Sequence, residues 1–175
     1  QLPALVQRVV LRNLPKAERQ GLILGYDEQE VPPNTLNGHA MLVGQAIDNL
    51  VSNAIKYSRP GGRVDVALTV KDDHALITVR DTGVGIPEGS LPYIFDQFYR
   101  VHDERTRNIP GTGLGLSLVH TIAHAHGGWV TVQSRLDEGS EFTLALPIVE
   151  RPHVQPTVGG TRRLDLSRLV EQPGT

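Results

Sequence analysis

Cysteine is absent from this sequence, which excludes a disulfide framework, thiolate catalysis and any cysteine-based metal site. A dominant charge sign is missing too. The 17 Lys and Arg stand against 19 Asp and Glu, so no contact with nucleic acid is expected. Apolar runs fall far short of the roughly 20 residues that a membrane span needs, so no membrane contact is expected either. The opening Gln1-Leu2-Pro3-Ala4-Leu5-Val6 lacks an initiator Met, a basic region and an apolar signal core. The expectation is a cytoplasmic piece of a longer chain. Internal repeats are missing as well, and 175 residues give room for one domain with a hydrophobic core.

What is present is periodic. Val43, Ala46, Ile47, Leu50, Val51 and Ala54 recur at helical spacing, so Gln45 to Tyr57 reads as a helix with one apolar stripe. At about 100° per residue, Gln45, Asn49, Asn53 and Lys56 fall within about 80° of one another on a second face, with Tyr57 one step aside. On residues alone that face suits either a solvated flank or a ligand. Carboxamide oxygens are hard donors of the kind Mg²⁺ takes. A lysine one turn on can reach a phosphate, and the ring beside it can lie against a base.

Around this helix the rest falls into place in order. Pro3 to roughly Gln20 suits an amphipathic helix until Pro15 disturbs it. Leu22-Ile23-Leu24 is a short strand candidate, and Glu28 to Asn34 a polar connection. Arg63 to Val70 and His74 to Arg80 read as a hairpin around Lys71-Asp72-Asp73. A Gly-rich turn, Asp81 to Pro87, follows. Leu91 to Phe98 reads as a short helix, and Tyr99 to Pro110 as a mobile loop. Gly111 to Leu116 opens a further helix with Leu118, Val119, Ile122 and Ala123 on one side, ended by Gly127-Gly128. Trp129 to Gln133 and Glu141 to Leu146 form a last hairpin. Residues 1–149 therefore make the domain. Residues 150–175 are expected to be a flexible, linker-like tail, with a hint of helix from Leu164 to Val170.

Two glycine-rich stretches carry chemistry. In Gly111-Thr112-Gly113-Leu114-Gly115-Leu116, backbone amides meet a helix start, a setting that favours an anion. It is neither a dinucleotide fingerprint, lacking the strand that should run into it, nor a P-loop, lacking Lys-Ser/Thr after the glycines. Asp81, at a strand end before two spaced glycines, suits either a turn-initiating role or an acceptor for an exocyclic amine.

Taken in order, Asn53 on its helix, Asp81-x-Gly83-x-Gly85, Ile94-Phe95-Asp96-Gln97-Phe98-Tyr99-Arg100 and Gly111 to Leu116 resemble the successive boxes of the catalytic, ATP-binding domain of sensor histidine kinases. The resemblance covers roughly Leu2 to Pro147. It implies the Bergerat ATP-binding fold, shared with type II topoisomerases, heat-shock chaperone ATPases and mismatch-repair ATPases. That fold is an α+β, two-layer sandwich with a mixed, mostly antiparallel sheet packed on one side by helices. It also implies roles. Asn53 would coordinate Mg²⁺, supported by Asn49; Lys56 would meet the phosphates of ATP, and Tyr57 the base or ribose. Asp81 would accept from the adenine amine, with Gly83 and Gly85 keeping the pocket open and Ile86 beside it. Phe95 and Phe98 would anchor the lid, and Arg100 would face the phosphates. Gly111, Thr112, Gly113 and Gly115 would cradle them, with Leu114 and Leu116 closing the pocket. Two departures stand out: His39, read as a cap or a surface change where many relatives carry Asp, and Pro110, a hinge stiffener.

The family's phosphoacceptor histidine lies on a separate dimerisation domain. His102-Asp103-Glu104-Arg105-Thr106-Arg107 is a near match to its motif, but sits in the lid with Arg where Pro belongs. His120 and His124, at i and i+4, have no carboxylate at metal-ligand spacing. The resemblance implies a kinase half that binds Mg-ATP and partners that dimerisation domain, and a response regulator indirectly. The alternatives are a nucleotide-binding regulatory module and an anti-sigma-type serine kinase of the same fold.

Overall fold

The computed structural model describes residues 1–28, 38–101, 105–107 and 109–148, and the backbone of 162–164. Its elements follow as α1 (Leu2–Arg19), β1 (Ile23–Glu28), α2 (Ala40–Tyr57), β2 (Arg63–Lys71), β3 (His74–Asp81), a 3-10 helix (Glu88–Tyr93), α3 (Gly115–Ala125), β4 (Trp129–Arg135), β5 (Gly139–Pro147) and β6 (Arg162–Leu164). The strands form one sheet in the order β4-β5-β3-β2-β1-β6. Only the β1–β2 pair is parallel, joined by the α2 crossover. The mixed, mostly antiparallel sheet and its single helical layer match the α+β two-layer expectation.

Strand alternation decides which face is covered. Val64, Val66 and Leu68 of β2, Ala75, Ile77 and Val79 of β3, and Phe142, Leu144 and Leu146 of β5 point inward and are buried. Asp65, Thr69 and Thr78 point outward and are half-buried. Onto the inward face α2 lays its stripe: Val43, Ala46, Ile47, Leu50, Val51 and Ala54 are all buried, as their spacing predicts. Burying a side chain such as Ile47 or Leu50 contributes about 1.5–3 kcal/mol.

Three local readings are corrected, and one pair of alternatives, at His39, is decided. Helix α1 runs unbroken through Pro15 to Arg19. The missing N–H costs one hydrogen bond, but buried residues on both sides of it, Val6, Val10 and Ala17, hold the helix on the core. The helix expected from Leu91 to Phe98 is instead a 3-10 turn at Glu88–Tyr93. Pro92 lacks the N–H an α-ladder needs, and Phe98 stands at φ +65°. Of the two readings of His39, the surface one fits: it is exposed and makes no side-chain cap bond, and its N–H donates to Nε2 of His126 across the helix layer. Within the tail expected to be linker-like, the backbone of Arg162–Leu164 pairs antiparallel with Tyr26–Glu28, so Leu164 is in a strand. Sheet edges recruit strands because their outer N–H and C=O groups lack partners. The connection from residue 29 to 37, His102, and the remainder of the tail lie outside the described residues.

Candidate nucleotide site

A cavity of about 240 Å³ opens between α2, the end of β3, and the segments on either side of α3's first turn. Its floor begins where the inward row of β3 ends. After Ala75, Ile77 and Val79 the alternation places a carboxylate, Asp81, which is only 6% exposed. Asp81 Oδ1 accepts from the N–H of Gly83 at 2.8 Å and of Ser140 at 3.3 Å. Both bonds fall on Oδ1, which leaves Oδ2 as the acceptor available to a ligand in the cavity. Burial pushes the Asp81 carboxyl above the usual carboxylate range, opposed by those two N–H bonds.

Cations hold another wall. Lys56 Nζ lies 5.1 Å from the Tyr57 ring centroid. A Cβ built on Gly111 would sit 2.6 Å from Nζ, so glycine at that position lets the ammonium lie directly against the loop. Burial first, then the charges of Arg100 and Lys16, lowers the Lys56 pKa. Arg100 is held by donating from Nη2 to the Ile109 carbonyl at 2.7 Å. Among the described lining residues the single carboxylate is Asp81. A wall with Lys56 and Arg100, two cations on one side of the cavity, suits an anion.

The carboxamides converge on the start of α3. A Cβ on Gly115 would lie 3.2 Å from Asn49 Oδ1 and 3.8 Å from Asn53 Nδ2. Asn49 Nδ2 donates to the Gln45 carbonyl at 3.0 Å, which turns its Oδ1 toward Gly115. The helix begins at Leu114 with no side-chain cap. Its first N–H groups therefore remain free to meet an anion.

Two glycines are required by their surroundings. Gly113 has φ +74°, and a Cβ there would fall 2.7 Å from the Phe98 carbonyl carbon. Its own carbonyl accepts the Phe98 N–H at 3.0 Å. At Gly85, with φ +67°, a Cβ would be 2.0 Å from the Arg135 carbonyl oxygen.

Of the residues singled out in the sequence, the cavity brings together Asn49, Asn53, Lys56, Tyr57, Asp81, Gly85, Ile86, Arg100, Gly111, Thr112, Gly113, Gly115 and Leu116. Gly83, Leu114, Phe98 and Phe95 stand outside the lining. Gly83 lies behind it, donating to Asp81. Leu114 is 39% exposed at the helix start, and Phe98 is 70% exposed. Phe95 meets Phe142 of β5 edge-on, with centroids 6.5 Å apart. The sequence reading missed Val84, Ile94, Thr106, Ser140 and Phe142. Ser140 and Phe142 were within reach, because the alternation of β5 puts 140, 142, 144 and 146 on one face and its pairing sets Ser140 opposite Asp81. Among the described residues no group of three or more His, Asp or Glu is placed to hold a metal.

Comparisons with known proteins agree with this geometry. The family model described as "Histidine kinase-, DNA gyrase B-, and HSP90-like ATPase" matches residues 38–150. Sensor histidine kinase RppB of Synechocystis is 45% identical over 117 residues, which are 67% of this chain and 26% of that protein. The chain thus spans about a quarter of the length of that relative. A mycobacterial sensor histidine kinase, MprB, superposes with a TM-score of 0.67 at 30% identity, over 81% of this chain and 95% of that one. The full-length structure of ShkA in complex with AMPPNP gives a TM-score of 0.73 at 26% identity, over 85% of this chain and 30% of ShkA. The glycine-loop boxes, the sheet order and the family match converge, and the chain belongs to the histidine kinase-, DNA gyrase B- and HSP90-like ATPase family, with sensor histidine kinases as its relatives.

Proposed function

We propose that this chain is the ATP-binding catalytic domain of a two-component sensor histidine kinase. It binds Mg-ATP and donates the γ-phosphoryl group to a histidine on a separate dimerisation domain, from which a response regulator is served. The observation that carries the reading is one cavity with two chemistries. A buried carboxylate offers a free oxygen to an amine-bearing base, while Lys56, Arg100 and the uncapped start of α3 offer charge and amides to phosphates. The AMPPNP complex of ShkA supports a nucleotide in this fold.

Asn53, with Asn49 beside it, suits Mg²⁺ as a neutral oxygen donor that leaves room for water and phosphate oxygens. The ion would supply neutralisation of phosphate charge. Phosphoryl transfer asks the protein mainly to position groups and stabilise charge. Lys56, Arg100 and the α3 amides do that, and Asp81 holds the base. The bond from the γ-phosphorus to the ADP oxygen breaks as the bond to the imidazole nitrogen forms. The imidazole proton leaves to a base supplied beside the acceptor. The direct test mixes the chain with Mg-ATP and a dimerisation domain and looks for acid-labile phosphohistidine. Its absence, with ATP bound, would leave a nucleotide-binding module. Asn53→Ala should keep the fold but weaken nucleotide binding in excess Mg²⁺; unchanged affinity would remove Asn53 from the metal role.

A further inference from the structure

The hairpin turn between β4 and β5 carries an ion-pair cluster that the nucleotide reading does not use. Asp137 takes Arg59 on Oδ1 and Arg105 on Oδ2, the latter at 2.9 Å. The two arginines come from separate segments: Arg59 from the turn after α2, and Arg105 from the lid. Asp137 is itself tied to the cavity wall, since its N–H donates to the Val84 carbonyl at 2.9 Å. One turn away, the Ile86 N–H donates to Ser134 Oγ at 2.8 Å. Val84 and Ile86 line the cavity, so this carboxylate stands on a braced base.

On the lid side, the neighbour of Arg105 is Thr106, which lines the cavity and is 8% exposed. Thr106 Oγ1 donates to the Val101 carbonyl at 3.1 Å, and the Ile109 N–H donates to the Thr106 carbonyl at 3.0 Å. Those bonds fold the segment onto itself; the Arg105 pair carries it across to the sheet. We propose that Asp137 is a positioning residue that latches the lid, through Arg105, over the nucleotide cavity and so sets how long a nucleotide stays. The inference rests on the nucleotide reading above. Arg59 holds the carboxylate in place from its other side. The two guanidinium groups keep the Asp137 carboxyl below the usual carboxylate range, so it is charged at neutral pH.

The test is the release of mant-ADP, bound with Mg²⁺ to the full chain and chased with excess unlabelled ADP. Asp137→Asn is the first variant, because asparagine tolerates the φ of +65° at this position. Arg105→Gln is the second, approaching the pair from the lid. Each should raise the dissociation rate about two- to fivefold, the scale of an exposed ion pair. The double variant should speed release by less than the product of the two single effects, since both variants break the shared Asp137–Arg105 contact. Added salt should speed release from the parent chain by a larger factor than from Asp137→Asn. Unchanged release in Asp137→Asn, or effects that multiply in the double variant, would overturn the latch. A parent chain that does not bind mant-ADP refutes the nucleotide reading and the retention role together, an outcome distinct from binding with unchanged release.

Discussion

Asp81 shows what a single residue gives up for the site. It occupies the last inward position of β3, where Ala75, Ile77 and Val79 before it are apolar. Burial raises its carboxyl above the usual range, the sign of a charge held where the fold would prefer none. The linkage follows. Between the unfolded carboxylate pKa and the raised folded one, the native state binds more protons, so stability from this group falls as pH rises through that window. Above the window the charged Asp81 weakens the fold. Asp81→Asn keeps the shape and an oxygen for the Gly83 and Ser140 N–H groups, and puts a donor where Oδ2 was. It should therefore lose ATP affinity by about 1–3 kcal/mol, roughly 5- to 150-fold, through a mismatched buried pair. In the same variant the urea midpoint at neutral pH should match or exceed the parent's, and that advantage should shrink in acid. A variant that loses affinity because it is less stable at neutral pH would count against this assignment. So would equal binding of ATP and GTP by the parent chain.

At the level of elements, turns decide more than helices do. Gly61 and Gly85 both have positive φ, +80° and +67°, but differ in what a side chain would meet. Nothing lies within 4 Å of a Cβ on Gly61, whereas one on Gly85 would strike the Arg135 carbonyl. Gly61→Ala should cost only the left-handed strain, about 1 kcal/mol. Gly85→Ala should add overpacking of a further ~1–3 kcal/mol. Urea midpoints of the two variants check the ranking, and equal losses would mean that the hairpin gives way to the added methyl. The same distinction explains what could be read from sequence. Helix α2 and the strand pairs were legible because periodicity of apolar residues is local information. The Asn49, Asn53 and Lys56 face was legible for the same reason, and the family resemblance joined it to Asp81 and the glycine loop. Thr106 reaches the cavity through a loop's return, which no local pattern records, whereas Ser140 follows from the alternation of β5 once its pairing with β3 is known. Pro15 misled because propensity speaks for an isolated helix, while α1 is held by burial. Likewise β6 pairs with β1 across a long stretch of sequence, in a region whose composition reads as linker.

For the molecule as a whole, the placement of histidines sets what it can do alone. Phosphoryl transfer needs a nucleophile held close and in line. Among the described histidines none lines the cavity. His74 meets Trp129 with centroids 4.5 Å apart and the rings tilted, on the far side of the sheet, away from the helical layer. His120 and His124 lie exposed along α3, their rings 5.6 Å apart. His126 is occupied at both ring nitrogens, by the Ile122 carbonyl and the His39 N–H. His39 itself sits at the exposed start of α2. The purified chain, incubated with labelled Mg-ATP, should therefore bind nucleotide without labelling itself. Adding a dimerisation domain in a second tube should produce acid-labile label on that domain only. His102, which opens the acceptor-like sequence from 102 to 107, is the residue to check by substitution. Label on the chain alone that disappears in His102→Ala would replace the incomplete kinase half with a self-modifying one. Label on the chain alone that survives the substitution would point to another nucleophile brought to the cavity by a change of shape.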